Sequence, residues 1–367
     1  MNKKILITAL ILIPVLFSCT STKESGSNFG GVKFGVITYS WRDLPGGIEN
    51  ILKYCKESGA TNIELMSTDV EAYLGAPENP MRRLRAAMGS APQGGGTPPA
   101  GAPPAGAPPQ QPAAPPAGPP QGAAPVQGTP PAGAPPAGMG RRFEMTPEMQ
   151  AEVDKYNQTL KEWRLSLPMS KFEEIRKMFN DAGINIHIVK FSPARWSDEE
   201  IDYAFKAAKA LGAKGVTDEI GEESVKRLAP FAEKHGMYAI FHNHMQFAEP
   251  GFTYDTFLSI SPAVMMNFDA GHFYGSTGIH PNTIIEKYHD RIFSVHMKDK
   301  TGPNTDPANQ NQVWGQGEVP IEDVLLLIKE NKWPIHCDIE LEYPVKPWST
   351  SVKEVKTCIK YARQILM

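Results

Sequence analysis

Short apolar runs alternate with longer amphipathic stretches along most of the chain. The apolar runs are rich in Val, Ile, Phe and Tyr, as strands are, and they cover residues 33–41, 62–66, 184–191, 214–220, 238–244, 263–273, 292–299 and 336–343. Apolar residues recur at helical spacing over residues 48–58, 146–163, 169–182, 198–211, 222–235, 283–289, 321–331 and 351–366. Gly59, Gly183 and Ser197 are typical boundary residues for three of these predicted helices.

Eight strands alternating with helices predict βαβ units and a parallel sheet. About 290 residues remain once residues 1–31 and a Pro-rich segment over residues 92–140 are set aside, and a (β/α)8 barrel typically needs about 250. No G-x-G-x-x-G motif follows the first strand, so the signature of a dinucleotide site is missing. We therefore predict an α/β fold, a (β/α)8 TIM barrel.

Residues 92–140 depart from this pattern. Seventeen of the chain's 34 prolines fall here, and no charged residue occurs between Arg85 and Arg141. Proline removes the backbone donors that helices and sheets need, and Ala and Gly offer little side chain to bury. We predict a disordered or polyproline-II-like insertion between the second and third strands of a single barrel domain over residues 32–367. The same composition would also suit a partner-binding segment.

The chain begins with the pattern of a bacterial lipoprotein leader. A pair of lysines precedes an apolar run over residues 5–17, which is too short for a convincing membrane span, and Cys19 follows it. A small residue before a cysteine at this place resembles a lipobox. We predict a signal peptide over residues 1–18, lipid attachment at Cys19, a flexible tether over residues 19–31 and a location in the cell envelope. An ordinary signal peptide with an incidental cysteine is the alternative.

Charge and cysteine content exclude other classes. Lys and Arg number 37 against 40 Asp and Glu, a formal net charge of −3 without a basic stripe, so we expect no nucleic-acid partner. Cys55, Cys337 and Cys358 form no C-x-x-C pair, which leaves a zinc knuckle or redox motif unsupported. We expect buried free thiols, with one disulfide as the alternative.

Polar side chains gather where the later strands end. From the fifth strand to the eighth they are His242 and His244, Asp269 and His272, His296, Lys298 and Asp299, and, on one face of the eighth, Glu340 and Glu342. This end of a barrel carries the active site, and buried carboxylates and imidazoles need a partner. Mixed nitrogen and oxygen ligands suit Mn²⁺, Zn²⁺, Co²⁺ or Fe²⁺, so we predict one divalent metal ion.

Five motifs at these positions resemble the xylose isomerase-like barrel superfamily of sugar phosphate isomerases and epimerases, which also includes apurinic endonucleases. They are HNH at 242–244, DAGH at 269–272, SVHMKD at 294–299, WGQGEVPIEDVL at 314–325 and IELEYP at 339–344. The resemblance implies a metal held by Asp269, His296, Glu340 and a strand-five residue. Epimerases of the superfamily carry a glutamate there, and this chain does not. Either His242 replaces it, or Glu219 at the end of the fourth strand reaches across.

Further polar and aromatic residues border the expected pocket. The candidates for substrate contact are His244, His272, Tyr39, Trp41, Lys190 and Glu342. The resemblance implies that His272 contacts substrate oxygens. Tyr39 and Trp41 would stack on a sugar ring or simply cap the barrel. If these residues do not contact substrate, His244 would orient a metal ligand, and Lys190 and Glu342 would be solvated charges.

This chemistry suits proton transfer next to a carbonyl of a small-molecule carbohydrate. A metal stabilises the enediolate, His242 or Glu340 moves the proton, and Lys298 steadies the oxyanion. Returning the proton gives isomerisation or epimerisation, whereas loss or gain of a β substituent gives elimination or hydration. The missing strand-five glutamate and the envelope location favour a keto-sugar lyase or hydratase. The resemblance implies keto-sugars such as 3-keto-glycosides as substrates.

Two other classes remain open. A sugar-binding lipoprotein would keep the barrel and lose the chemistry, although the intact Asp269, His296 and Glu340 argue against that loss. An apurinic-endonuclease-type phosphodiesterase would need several more metal ligands and a basic groove, which the near-neutral charge does not supply.

Overall fold

Parallel strands close into a barrel in the computed structural model, which describes residues 26–81 and 145–367. The barrel strands are β1 Val32–Ile37, β2 Asn62–Met66, β3 Asn185–Lys190, β4 Gly215–Glu219, β5 Tyr238–His242, β6 Val264–Asp269, β7 Ile292–Met297 and β8 His336–Ile339, and, among the described residues, three two-residue strands lie outside the barrel sequence at Asn28–Phe29, Asp299–Lys300 and Asn311–Gln312. Each barrel strand pairs in parallel with the next, and β8 pairs with β1, so the sheet has no free edge. The predicted (β/α)8 barrel is confirmed.

Helices connect the strands along the chain. Within the described residues they are α1 Ile48–Ser58, α2 Ser67–Tyr73, α3 Pro147–Ser166, α4 Ser170–Asp181, α5 Asp198–Ala210, α6 Glu222–His235, α7 Asp255–Leu258, α8 Ala270–Thr277, α9 Asn282–Tyr288, α10 Ile321–Asn331 and α11 Ser351–Leu366. The predicted boundary residues are confirmed for three helices, and Gly183 follows α4 with a φ of 72°, in the left-handed region. Gly59 ends α1 in the left-handed conformation, and Ser197 and Glu200 form a capping box at the start of α5.

Several strands are shorter than their apolar runs predict. Thr38–Trp41 is a 3-10 turn rather than the end of β1. Glu340 and Glu342 were predicted on the eighth strand, but β8 ends at Ile339. The reason is local, because the Ser40 hydroxyl binds the backbone of this segment at Ile339 and Leu341 in place of a strand partner. His244 likewise lies beyond the end of β5.

Contacts divide the chain into two compact units. The barrel unit comprises, within the described residues, 26–76 and 163–367, and the second unit spans residues 77–162. The described parts of the second unit, 77–81 and 145–162, contain most of α3. The predicted leader 1–18, the lipidation residue Cys19 and the insertion 92–140 lie outside the described residues.

The interior of the barrel is polar just below its C-terminal end. Glu64 of β2 is fully buried and accepts hydrogen bonds from Thr217 of β4, at 2.8 Å, and from Asn267 of β6, at 3.0 Å. Ser294 of β7 donates to Asn267 at 2.7 Å. These side chains satisfy one another, as buried polar groups must. The network lies directly beneath the side chains at the C-terminal ends of the strands.

Cys55, Cys337 and Cys358 are buried and unpaired, as the sequence predicts. In the described residues no helix combines the length and apolar character needed to cross a bilayer.

Candidate metal centre

Four side chains converge at the C-terminal ends of β5 to β8, and we call them the four-residue group. They are His242, Asp269, His296 and Glu340, and each is buried. One nitrogen or oxygen atom from each lies within 4.8 Å of the others. Strand register explains part of this, because Asp269 on β6 pairs directly with His296 on β7.

The distances within the four-residue group fit one divalent metal ion. The separation is 3.1 Å between His242 Nε2 and Asp269 Oδ2, and 2.8 Å between His296 Nδ1 and Glu340 Oε2. His242 Nε2 lies 4.0 Å from Glu340 Oε2. Ligand atoms about 2.1 Å from a tetrahedral ion would stand roughly 3.4 Å apart, in the middle of this range. His296 Nδ1 and Glu340 Oε2 meet the geometric criteria for a hydrogen bond with no described residue, although Lys298 Nζ lies 2.8 Å from Glu340 Oε2.

The two candidates for the strand-five ligand lie in different clusters, because Glu219 forms with His242 and His244 a second group that could hold a metal ion. His242 turns Nε2 towards Asp269, whereas its Nδ1 lies 3.1 Å from Glu219 Oε2. Glu219 therefore stands behind His242, outside the four-residue group. A carboxylate on the far nitrogen fixes the orientation of a metal-binding imidazole. Burial alone would raise the pKa of Glu219, but hydrogen bonds from His242 and His244 lower it well below its ordinary value.

His296 is held in the same way from below. Its Nε2 lies 2.7 Å from Glu64 Oε2 and 3.1 Å from the Asn267 amide, so Nδ1 faces the four-residue group. Burial alone would raise the pKa of Glu64, but the adjacent imidazole lowers it to about 2. Two imidazoles are thus each supported by a buried or half-buried carboxylate.

The two carboxylate oxygens of Asp269 have different roles, one in capping a helix and one in the four-residue group. Oδ1 accepts the backbone N–H of His272 at 2.7 Å and caps α8, which leaves Oδ2 for the four-residue group. The Asn243 side chain accepts the Asp269 N–H at 3.0 Å and fixes the backbone at this point. The D-A-G-H motif therefore works as a helix start that presents one carboxylate oxygen.

Lys298 lies against three carboxylates at the edge of the four-residue group. Its Nζ is 2.9 Å from Asp269 Oδ2, 2.8 Å from Glu340 Oε2 and 2.8 Å from Glu342 Oε2. Burial opposes its positive charge, but the carboxylates raise the pKa of Lys298 above its ordinary value. The ammonium group is therefore a buried cation that offsets part of the acidic charge.

The family can now be assigned. The model of the xylose isomerase-like TIM barrel matches residues 143–362, more than half of the chain. The chain belongs to the xylose isomerase-like TIM barrel family. No curated protein matches the chain in sequence.

Several solved structures are similar to the chain at low sequence identity. A xylose isomerase domain protein from Alicyclobacillus acidocaldarius is 12% identical, with a TM-score of 0.53 over 91% of this chain and 98% of that one. The IolI protein with a bound zinc atom is 14% identical, with a TM-score of 0.50 over 91% and 98%. A sugar phosphate isomerase/epimerase from Parabacteroides distasonis is 18% identical, with a TM-score of 0.48 over 97% and 100%.

One side of the xylose isomerase-like site is open. Glu342 is only partly buried, and its Oε2 lies 3.5 Å from His272 Nε2. Neither ring nitrogen of His272 has a hydrogen-bond partner among the described residues. Burial lowers the pKa of His272 to about 4 despite the nearby Asp269 carboxylate. The half-exposed His244 stacks on His272 at 5.0 Å and lies 3.1 Å from Glu219.

The remaining predicted contacts are spread around this site. Lys190 Nζ lies 2.6 Å from Glu219 Oε1 and so belongs to the layer behind His242. Tyr39 is exposed, with the Arg42 guanidinium 4.6 Å above its ring. Trp41 is buried against Tyr54 of α1, at 5.6 Å between rings, because the 3-10 turn rotates it away from the position of a strand residue. This packing gives no support to sugar stacking by Trp41.

Sequence reasoning missed Glu64 and Asn243 as supporting residues. Glu64 is the one charged residue in the predicted strand 62–66, and a carboxylate amid apolar strand residues is the signal that could have revealed it. Asn243 lies inside the quoted H-N-H motif, but its bonds to the Asp269 backbone depend on the neighbouring strand.

Proposed function

We propose that the protein is a divalent-metal-dependent enzyme that moves a proton next to the carbonyl of a carbohydrate, as a keto-sugar isomerase or epimerase or as a lyase or hydratase. The observation that carries this proposal is the buried four-residue group with Lys298 and Glu342 beside it. Family membership and the zinc atom of the IolI structure agree with it.

His242, Asp269, His296 and Glu340 would hold the metal. When bound, the ion supplies Lewis acidity that stabilises negative charge on a sugar carbonyl oxygen. Glu219 and Glu64 keep the two imidazoles turned towards it. This assignment removes His242 from the proton-transfer role expected from the sequence, because both of its ring nitrogens are engaged.

Glu342 is the better proton carrier. It lies outside the four-residue group, on the open side, whereas Glu340 belongs to the group and is more deeply buried. Lys298 donates to Glu342 and stands where it can also donate to an oxyanion. The unpartnered His272 nitrogens are free to bind substrate hydroxyl groups.

A single available carboxylate favours some outcomes over others. An epimerase that uses two carboxylates would need a second one across the substrate, and the strand-five position holds His242 instead. Glu342 alone can take a proton from carbon and return it to a neighbouring carbon, or take it while a β substituent leaves. We therefore favour isomerisation or elimination of keto-sugars such as 3-keto-glycosides. Lipid attachment at Cys19 would place this activity in the cell envelope.

Proton exchange with solvent tests the proposal. The metal-loaded protein is incubated with methyl 3-keto-β-glucoside in D2O, and proton NMR follows the C–H groups beside the carbonyl. We expect deuterium at one of these carbons, and a rate about 100-fold lower for Glu342→Gln, because a general base contributes about 10²- to 10⁴-fold. The exposed Glu322→Gln is the control. Absence of metal binding together with unchanged activity in Asp269→Ala would refute the proposal.

A further inference from the structure

The loop after β1 contacts the loop after β8 at two points, one before and one after the exposed Trp348. Arg42, in the loop after β1, donates to the Leu341 carbonyl oxygen in the loop after β8. One residue further along, Asp43 accepts a hydrogen bond of 2.8 Å from Ser351, at the start of α11. The segment between Leu341 and Ser351 is thus fastened to the β1 loop at both ends. It carries Glu342 near its start and Trp348 near its end.

Trp348 stands at the tip of a tight turn. Its side chain is 78% exposed, and no ring in residues 26–81 or 145–367 stacks on it. The Ser349 N–H donates to the Lys346 carbonyl oxygen at 2.9 Å, and Pro347 occupies the second turn position, which proline favours. Trp41 and Trp314, by contrast, are buried against other aromatic rings. A rigid turn therefore presents a large apolar face to solvent.

Tyr39 adds a second exposed ring to the same pair of loops. It is 37% exposed, and Arg42 both covers one of its faces and binds Leu341. Trp348 is six residues from Glu342, which limits their separation to about 20 Å even for extended chain. Both rings therefore belong to the joined loops that follow β1 and β8, at the C-terminal end of the barrel.

We propose that Tyr39 and Trp348 bind a second ring attached to the reacting sugar, so that the substrate is a glycoside rather than a free monosaccharide. This inference rests on the proposed function, because it places the reacting sugar beside Glu342. The apolar face of a sugar or aromatic aglycone covers a tryptophan ring well, and such stacking carries little entropy cost on a rigid turn.

Tryptophan fluorescence tests the binding directly and needs no turnover. Phenyl β-glucoside, which carries no keto group, is titrated into the metal-loaded full-length protein, with glucose in a parallel titration. We expect phenyl β-glucoside to quench the fluorescence of the wild type. Both variants lack the reporting indole, so their binding is measured by calorimetry, and we expect it to be lost in Trp348→Ala and retained in Trp348→Tyr. Tyr238→Ala is the matched control, because Tyr238 is 39% exposed at the opposite end of the barrel, on the first residue of β5. Equal responses of wild type and Trp348→Ala would overturn the inference.

Kinetics provide the second measurement. We expect Trp348→Ala to raise KM for phenyl 3-keto-β-glucoside about tenfold relative to KM for 3-keto-glucose, the upper range for an aromatic pair. Quenching by phenyl β-glucoside without turnover of either keto-sugar would refute the proposed function but would support ring binding by Tyr39 and Trp348. A shift of Trp348 fluorescence with anionic lipid vesicles, and none with phenyl β-glucoside, would overturn the proposed ring binding. That result would assign Trp348 to membrane contact.

Discussion

His296 Nε2 lies 2.7 Å from Glu64 Oε2, and both residues are completely buried. Because this contact turns Nδ1 towards Glu340, it makes Glu64 a positioning residue for the candidate metal. We expect Glu64→Gln to fold and to weaken metal affinity about 10- to 100-fold, the usual effect of losing an outer carboxylate. Competition with a chelator of known affinity measures the change.

A second buried pair in the same barrel supplies the control for Glu64. Asp338 Oδ2 lies 2.7 Å from His187 Nε2, and neither residue belongs to the four-residue group. Asp338→Asn is expected to lower stability and to leave metal affinity near the wild-type value. Equal losses of affinity in both variants would mean that general destabilisation, rather than imidazole orientation, causes the effect.

Lys298 offsets the charges of Asp269, Glu340 and Glu342. We expect Lys298→Met to destabilise the metal-free protein by about 3–5 kcal/mol, because three buried or half-buried carboxylates lose their common cation. A divalent cation replaces that charge, so Mn²⁺ or Zn²⁺ should raise the melting temperature of the variant more than that of the wild type. Differential scanning calorimetry with and without metal measures both values.

Lys190→Met is the matched variant for Lys298. Lys190 also has a short contact with a carboxylate, but its partner Glu219 stands behind His242. We expect metal to raise the melting temperature of Lys190→Met by no more than it raises that of the wild type. If metal rescues Lys190→Met and Lys298→Met equally, the special role of Lys298 at the four-residue group is wrong.

The sequence predicted the barrel because its signals are local and repeated. Eight apolar runs separated by helical patterns specify βαβ units, and Gly59 and Ser197 end or begin helices through their own backbone and side-chain chemistry. Strand ends were less predictable. Apolar residues continue past β1 and β8 because the loops at the barrel mouth are themselves buried, as Trp41 and Leu341 are.

The candidate site was only partly predictable for a related reason. The order of strands along the chain places His242, Asp269, His296 and Glu340 at one end of the barrel. It does not determine the direction in which each side chain points. The choice between His242 and Glu219 depends on which imidazole nitrogen faces inward, and this is set by the contacts of β4 with β5. The importance of Glu64 likewise depends on a partner 232 residues away.

The segment 92–140 can be tested by deletion. Its composition offers little apolar side chain to bury and no charged residue to pair, so it contributes little to a core. We expect a chain lacking residues 92–140 to be expressed in soluble form and to melt within a few degrees of the full chain. A deletion of equal length that removes α4 and β3 is the control and should abolish folding. Insolubility of the first variant would contradict the prediction.

We expect His336 to make the stability of the barrel depend on pH. Burial lowers the pKa of His336 well below its ordinary value, and the nearby His187 and Lys33 lower it further. The folded state therefore keeps the imidazole neutral at a pH where the unfolded chain, with a pKa of about 6.5, takes up a proton. Because the unfolded state then binds more protons, stability falls as the pH drops below about 6.5, by up to about 1.4 kcal/mol per pH unit for one group.

Replacing this ring isolates its contribution. His336 stacks on His187 at 4.1 Å, and His336→Phe keeps a planar ring in that stack without a titratable group. Urea unfolding at pH 7.5 and pH 5.0 is expected to show about 2 kcal/mol less acid destabilisation in the variant than in the wild type. His280→Gln, which changes an exposed histidine, should follow the wild type. Equal losses in His336→Phe and the wild type would mean that other groups carry the acid sensitivity, since a neutral phenyl ring cannot bind the proton in either state.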